Sequence, residues 1–313
     1  MSPMHTDDQG EFQRWESAFR SWVTPDGSPG PSGEGGFRAE PGRYHLYVSY
    51  ACPWAHRTLI YRALKGLEGL VGISVVHPIM PPESWVFGEF PGATPDHLYG
   101  AHALREIYER AEPGYEGVVT VPVLWDRSRE TIVNNESSEI IRMFNSAFDG
   151  CGARADVDFY PEPLREAIDA LNAQIYENVN NGVYRAGFAG TQQAYERAYD
   201  RLFATLDELE TRLSHHRYLL GERITEADWR LLPTLLRFDA VYYTHFKCNR
   251  QRLVDFPNLW GYTRDLLQRP GVRETLRMDH IKTHYFTSHP RLNPSGIVPK
   301  GPIVDFDAPH GRG

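Results

Sequence analysis

The sequence predicts a mixed α/β domain followed by an all-helical domain. Three observations carry this. A strand, an amphipathic helix and a second strand succeed one another between Tyr44 and His77. Beyond residue 160 the apolar spacing is helical throughout. Between them Asn145 to Tyr160 holds Gly150, Gly152 and few periodic apolar residues, as a domain boundary would. At 313 residues the chain exceeds the usual single-domain size. The expected division is an N-terminal extension over 1–42, an α/β domain over 43–150, a helical domain over 160–290 and a tail over 291–313.

The first strand and its helix meet at the most reactive residue type in the chain. Tyr44 to Tyr50 alternates well enough for a buried strand, and Pro53 suits the first turn of a helix, where its missing N–H would lack a partner. Cys52 then sits at a strand-to-helix corner. Backbone N–H groups and the positive end of the helix dipole favour an anion there, which predicts a thiolate stabilised below the ordinary thiol pKa of roughly 8.5. Ala55 stands where a dithiol oxidoreductase would carry its second cysteine. The chemistry predicted is therefore monothiol: attack on a sulfur, then release by an external thiol. The alternative is a small packed cysteine that does not react.

Lys and Arg number 33 against 41 Asp and Glu, a formal charge of −8, which argues against a nucleic-acid or anionic-membrane surface. No stretch has the basic flank and apolar centre of a signal peptide, and no uncharged apolar run could span a bilayer, so a cytoplasmic protein is expected. Cys52, Cys151 and Cys248, an odd number at wide spacing, suit reduced thiols rather than a disulfide framework.

Along the chain, Phe12, Trp15, Phe19 and Trp22 fall at helical spacing and predict an aromatic stripe, followed by a Gly-, Pro- and Ser-rich loop from Thr24 to Gly42. After Pro53, the spacing of Leu59, Ala63, Leu64 and Leu67 gives a helix ending near Gly69. Ile73 to His77 is the second strand, so parallel pairing through a right-handed crossover is expected. In the proline-rich excursion from Pro78 to Pro95, Trp85 either walls a ligand or anchors its own loop. Leu98 to Ala111 reads as a helix and Val118 to Trp125 as a strand interrupted by Pro122. A cis Val121–Pro122 bond would turn the Val121 backbone toward an extended, peptide-like ligand, whereas a trans proline at a strand edge would not. Thr131 to Val133 is a short hairpin partner, and Asn134-Asn135-Glu136-Ser137 opens the next helix. Its N–H groups suit a carboxylate and Glu136 suits an ammonium, together one amino-acid head group; alternatively Glu136 only offsets the helix dipole.

In the second half, Leu164, Ile168, Leu171, Ile175 and Val179 form one stripe and Tyr195, Tyr199, Leu202, Leu206, Leu209 and Leu213 a longer one. Thr225 and Asp228 make a capping box, whose loss in Asp228→Ala should cost about 1 kcal/mol or more. Phe238 to Cys248 is dense in aromatics, and Leu259 to Leu276 is helical with a break at Pro270-Gly271. An aromatic turn and a surface tail are expected after His280. His280 with His284, and His215 with His216, have no third ligand at a usual spacing; they are expected to be exposed, and no metal site is expected. There is no Gly-rich phosphate loop and no Gly-x-Ser-x-Gly elbow.

A strand-helix domain with a cysteine at its first helix and a proline before its third strand, followed by a helical domain, resembles the glutathione transferase architecture with its thioredoxin-like N-terminal domain. Cys52-Pro53-Trp54-Ala55-His56-Arg57, Val119-Thr120-Val121-Pro122-Val123-Leu124-Trp125-Asp126, Asn135-Glu136-Ser137 and His245-Phe246-Lys247-Cys248-Asn249 resemble the glutathionyl-hydroquinone reductases, the Xi class of that family, and the likeness runs from about residue 8 to 290. The resemblance implies Cys52 as nucleophile and Tyr184 as the tyrosine exchanging a proton with substrate. It implies Tyr242, before the His245 motif, and Tyr285, after His284, as tyrosines that help lower the cysteine pKa. It also implies that Trp85, the backbone from Val118 through Val119 and Thr120 to Val121, and Glu136 and Ser137 hold glutathione. The chain departs from the family at Val118, where many relatives carry arginine, so a cationic contact to a glutathione carboxylate is expected to be missing.

The implied reaction is glutathione-dependent reduction of a glutathionyl-hydroquinone through a Cys52 mixed disulfide, with glutathione as co-substrate, no bound cofactor, and a homodimer. Two rivals differ chemically. A conjugating transferase or reductive dehalogenase is disfavoured by cysteine at the corner, which forms a disulfide instead of leaving glutathione thiolate available. A non-enzymatic module of the same fold has no need of an activated thiol.

Overall fold

The computed structural model describes residues 5–312. They form two compact units: Trp15–Asp158 with Glu274–Ser288, and Phe159–Arg273 with the flanking segments 5–14 and 289–312. In the 5–14 segment, β1 (His5–Thr6) and β2 (Phe12–Gln13) pair antiparallel.

The first unit is built on a four-stranded sheet. β3 (Tyr44–Val48), buried at every residue, pairs in parallel with β4 (Val71–Val75) and antiparallel with β5 (Val123–Asp126); β6 (Thr131–Asn134) pairs antiparallel with β5, so the order is β4-β3-β5-β6. The parallel step is the predicted crossover, made through α1 (Pro53–Leu64). That helix stops short of Gly69 because Gly66 takes φ +66°, a backbone closed to most side chains, and turns the chain toward β4. α2 is likewise shorter than the spacing predicts, Leu104–Ala111. The buried Asp96 carboxylate accepts the N–H groups of Leu98, Tyr99 and Ala101 at 3.1, 3.0 and 3.1 Å, holding those residues in a turn. β5 begins only after Pro122, so Val118 to Val121 lie outside the ladder. α3 (Ser137–Ser146) follows β6.

The aromatic stripe of the N-terminal extension is not a helix. The segment around Phe19 is extended beside β6: Asn135 N–H donates to the Phe19 carbonyl at 3.1 Å and Ser21 N–H to the Val133 carbonyl at 3.0 Å. Phe19 packs on Tyr108 and Tyr115, and Trp15 is exposed. Pairing with a strand more than a hundred residues away overrides the local spacing.

The second unit is helical. α4 (Arg165–Ile175) runs into a π-helical turn, Tyr176–Asn180; α5 (Gly182–Gly187) and α6 (Gln192–His215) follow. α7 (Glu226–Arg237) runs into a second π-helical turn, Phe238–Tyr242, before α8 (Pro257–Leu267). Most of each predicted stripe is a buried face, Ile168, Leu171, Ile175 and Val179 on one and Leu202, Leu206, Leu209 and Leu213 on the other, while Leu164, Tyr195 and Tyr199 at their N-terminal ends are half-buried. The capping box forms, with Thr225 N–H donating to the Asp228 carboxylate at 2.7 Å. The tail is strapped down, Arg312 donating to the carbonyls of Leu213 and Arg217, both at 2.9 Å.

Instead of an aromatic turn after His280, α9 (Met278–Thr287) forms and belongs to the first unit. Its two histidines are buried, contrary to the sequence reading. His280 Nε2 donates to the Pro91 carbonyl at 2.8 Å and His284 Nδ1 to the Pro78 carbonyl at 2.9 Å, fastening the proline-rich loop to α9. His215 and His216 are exposed as expected. No helix among the described residues is long and apolar enough to cross a membrane.

Candidate active site

Cys52 is the N-cap residue of α1, with φ −76° and ψ 122°, and Pro53 is the first helical residue. The Cys52 carbonyl accepts the His56 N–H at 3.0 Å, while its own N–H donates to the Ser49 carbonyl at 3.2 Å. The thiol is half-buried and lies 3.5 Å from the Val121 carbonyl, to which it donates. None of the three cysteines forms a disulfide. Cys248 is wholly buried, which pushes its thiol well above the usual range, and Cys151 donates to the Ala39 carbonyl at 3.4 Å. Cys52 alone of the three stands at the start of a long helix.

The Val121–Pro122 bond is cis. The residues before it are pinned by two tyrosines: Tyr115 Oη donates to the Val118 carbonyl at 3.2 Å, and Tyr108 Oη donates to the Thr120 carbonyl at 2.9 Å while accepting the Thr120 N–H at 3.2 Å. Val119 and Val121 are buried, Val118 and Thr120 half-buried. Two rigid rings thus fix the segment whose last carbonyl receives the cysteine.

Glu136 is the N-cap of α3. Its carboxylate accepts the Ser138 N–H at 3.0 Å, the Ser138 hydroxyl at 2.9 Å and the Ser17 hydroxyl at 3.1 Å. Burial pushes this carboxyl up, but the Ser138 bonds, the Arg57 charge and the Ser17 bond together hold it below its ordinary value. Ser137 is buried, and Arg57 Nη1 donates to its hydroxyl at 3.4 Å. Arg57 itself is buried on α1 with its guanidinium 4.7 Å over the Trp54 ring.

Sequence reasoning missed Arg57 and Ser17. A full charge one turn into a helix of buried residues was a usable signal for Arg57, since such a charge needs an acidic neighbour. Ser17 carries none, because only the extended path of its segment brings it to Glu136.

Trp85 is buried and stacked on His284, 4.8 Å between ring centres and 22° between planes, and its carbonyl accepts the Leu104 N–H at 2.9 Å. Tyr285, the next residue on α9, is buried with its ring 5.4 Å from that of His284. The first unit therefore holds Cys52, Trp85, Val118 to Val121, Glu136, Ser137 and Tyr285.

The second unit holds Tyr184 and Tyr242. Tyr184, on α5, is half-buried among Phe12, Phe188, Tyr242 and Phe246, with ring centres 6.3, 6.1, 6.1 and 5.4 Å away. Tyr242 closes the second π-helical turn, wholly buried and stacked on Phe246 at 5.4 Å and 16°. A π-helical turn also precedes α5, and such turns are frequent at functional sites because the extra residue re-aims the side chains beside it. Among the described residues, no group of three or more His, Cys, Asp or Glu could hold a metal ion.

A mixed sheet with a cysteine at its first helix and a proline before its third strand, in a chain that also carries a helical unit, is the arrangement of a glutathione transferase. The family model of the glutathione S-transferase N-terminal domain matches residues 51–147 and that of the C-terminal domain residues 192–265. The chain is 58% identical over 304 residues to the glutathionyl-hydroquinone reductase YqjG of Escherichia coli K12, spanning 97% of this chain and 92% of that protein. It is 51% identical over 293 residues to the glutathionyl-hydroquinone reductase PcpF of Sphingobium chlorophenolicum, spanning 94% and 90%. Among solved structures, glutathione-bound YqjG matches with a TM-score of 0.92 at 58% identity, covering 94% of this chain and 96% of that one. Glutathione S-transferase Xi of Phanerochaete chrysosporium matches with a TM-score of 0.91 at 50% identity, covering 97% and 96%. The chain belongs to the glutathionyl-hydroquinone reductases, the Xi class of the glutathione transferase family, as its motifs implied.

Proposed function

We propose that this protein reduces glutathionyl-hydroquinones to hydroquinones at the expense of glutathione, through a mixed disulfide on Cys52. One observation carries the reading: a half-buried thiol at the head of α1, with alanine in place of a second cysteine, in a chain 58% identical to a glutathionyl-hydroquinone reductase. Glutathione in the solved structure of that relative supports glutathione as co-substrate. Trp85, the backbone of Val118, Val119, Thr120 and Val121, Glu136 and Ser137 are its binding residues in this reading. Glu136, held ionised, receives the glutathione ammonium.

In the first step Tyr184 gives its phenolic proton to the ring carbon that bears sulfur while a ring hydroxyl loses one to solvent, yielding a keto tautomer and a tyrosinate that solvent reprotonates before the next turnover. A tyrosine, with an ordinary pKa near 10, carries that proton at neutral pH. The Cys52 thiolate then attacks the glutathione sulfur. An S–S bond forms, the C–S bond breaks, and its electron pair returns to the ring, which leaves as the hydroquinone anion and takes up a proton. The ring carbon is reduced and sulfur is oxidised. A second glutathione attacks the mixed disulfide, releasing oxidised glutathione and the Cys52 thiolate. Tyr242 and Tyr285 help to lower the Cys52 pKa. In this reading the enzyme works in the cytoplasm as a homodimer, with no resident metal or cofactor.

Cys52→Ser should abolish reduction of glutathionyl-menadione; retained turnover would overturn the scheme. Tyr184→Phe should lower kcat far more than it raises KM, and an unchanged kcat would remove Tyr184 from its role.

A further inference from the structure

Within the second unit the 5–14 segment is held closely against the start of α6. Gly190 N–H donates to the Gly10 carbonyl at 2.8 Å, Thr191 Oγ1 donates to the Gln9 carbonyl at 3.0 Å, and Arg197 pairs with Glu11 at 2.8 Å. Gly10 takes φ +76°, and a Cβ there would stand 2.8 Å from Thr191 Cγ2, so the approach itself requires glycine. This docking sets the ring of Phe12 against Tyr184 and Phe188, and it carries the guanidinium carbon of Arg14 to 4.8 Å above the Tyr184 ring. Arg14 Nε donates to Asn181 Oδ1 at 2.9 Å, and Asn181, buried, is the N-cap residue of the helix that bears Tyr184. One side chain thus grips the start of α5 and covers the face of its tyrosine.

We propose that Arg14 is a positioning residue for the reaction: it fixes the Tyr184 ring and stabilises the tyrosinate as the proton passes to the hydroquinone carbon. The inference rests on Tyr184 being the proton donor. A permanently charged guanidinium above a phenol ring is attracted to its π-face, and more strongly to the phenolate left when the proton goes. Tyr242, beyond α7, also packs on the Tyr184 ring, and Arg185, next to Tyr184 on its own helix, is paired with Glu177. The N-terminal segment, which the sequence reading treats as an aromatic extension, becomes part of the acid-base apparatus.

The test is a double-mutant cycle with a pH profile. Arg14→Gln keeps a donor for Asn181 and removes the charge. It should lower kcat for glutathionyl-menadione by roughly 2- to 30-fold, the range a cation–ring contact spans, with KM little altered. The pH limb that Tyr184→Phe abolishes should move to higher pH. Arg14→Lys should restore the limb to its wild-type position, a readout that serves even if Arg14→Gln folds poorly. In a Tyr184→Phe background Arg14→Gln should have no further effect. A wild-type kcat and pH profile in Arg14→Gln, beside a slow Tyr184→Phe, would overturn the role of Arg14 alone, as would an equal loss in the Tyr184→Phe background. Wild-type turnover in Tyr184→Phe would overturn the tyrosine assignment and this inference with it.

Discussion

Asp228→Ala tests how the helical unit is held together. The Asp228 carboxylate is wholly buried and accepts four bonds: from Leu219 N–H at 3.0 Å, Thr225 N–H at 2.7 Å, Thr225 Oγ1 at 3.0 Å and Tyr262 Oη at 2.9 Å. It therefore ties the start of α7 to the turn before it and to α8. Truncation leaves buried donors without an acceptor at roughly 1–3 kcal/mol each. Two effects reduce the sum. Burial holds this carboxyl above its usual range despite the bonds, so removing it relieves a desolvated charge, and water entering the vacated space satisfies part of the lost bonding. The expected net loss is about 2–5 kcal/mol, well beyond the about 1 kcal/mol of a simple cap. For a domain of this size that lowers Tm by roughly 4–20 °C. Far-UV circular dichroism during heating and urea titration measures it, with Asp228→Asn, which keeps one acceptor oxygen, expected to fall between. A loss below about 1 kcal/mol would refute the reasoning.

Cys248 gives a pH dependence. Its thiol is pushed far up by burial, so the unfolded chain ionises it from roughly pH 8.5 while the folded chain does not. Its contribution to stability is complete below that pH and is lost as the pH rises above it; Cys248→Ala should flatten the alkaline fall in urea titrations, and equal slopes would count against the burial argument. Gly187→Ala would place a Cβ 2.3 Å from Phe246 Cγ, in the ring cluster around Tyr184. It should destabilise by about 1–3 kcal/mol, and an unaltered melt would show that the cluster yields easily. Tyr108→Phe removes the bonds to the Thr120 backbone and to Asn135 Nδ2, the last at 3.1 Å. A loss of about 1–3 kcal/mol with a raised KM for glutathione is expected; an unchanged KM would mean that Val118 to Val121 hold their shape without it.

What the sequence disclosed depended on how local the cause was. The corner at Cys52 was readable because strand alternation and a proline in the first helical turn are properties of neighbouring residues. The Thr225–Asp228 box was readable for the same reason. Phe12, Trp15, Phe19 and Trp22 misled: their spacing suits a helix, but hydrogen bonds to Val133 and Asn135 draw the Phe19–Ser21 segment out alongside β6. Residues 98–103 are helical in composition, yet the Asp96 carboxylate captures three of their N–H groups. His280 and His284 gave no sign of burial, because the carbonyls that accept from them, Pro91 and Pro78, belong to a loop distant in sequence. In the candidate site, Cys52, Glu136 and Pro122 were legible from motif and corner chemistry. Arg57 carried a signal that was passed over, a full charge within a helix of buried residues, whereas Arg14 and Ser17 carried none, since each meets its partner only through the packing of separate segments.

The most direct measurement is intact-protein mass spectrometry after incubation with a glutathionyl-hydroquinone in the absence of added glutathione. A single ionisable, reachable thiol at the head of α1 predicts one glutathione per chain, located on Cys52 by peptide mapping and absent in Cys52→Ser. No adduct, or an adduct on Cys151 or Cys248 that persists in Cys52→Ser, would contradict it.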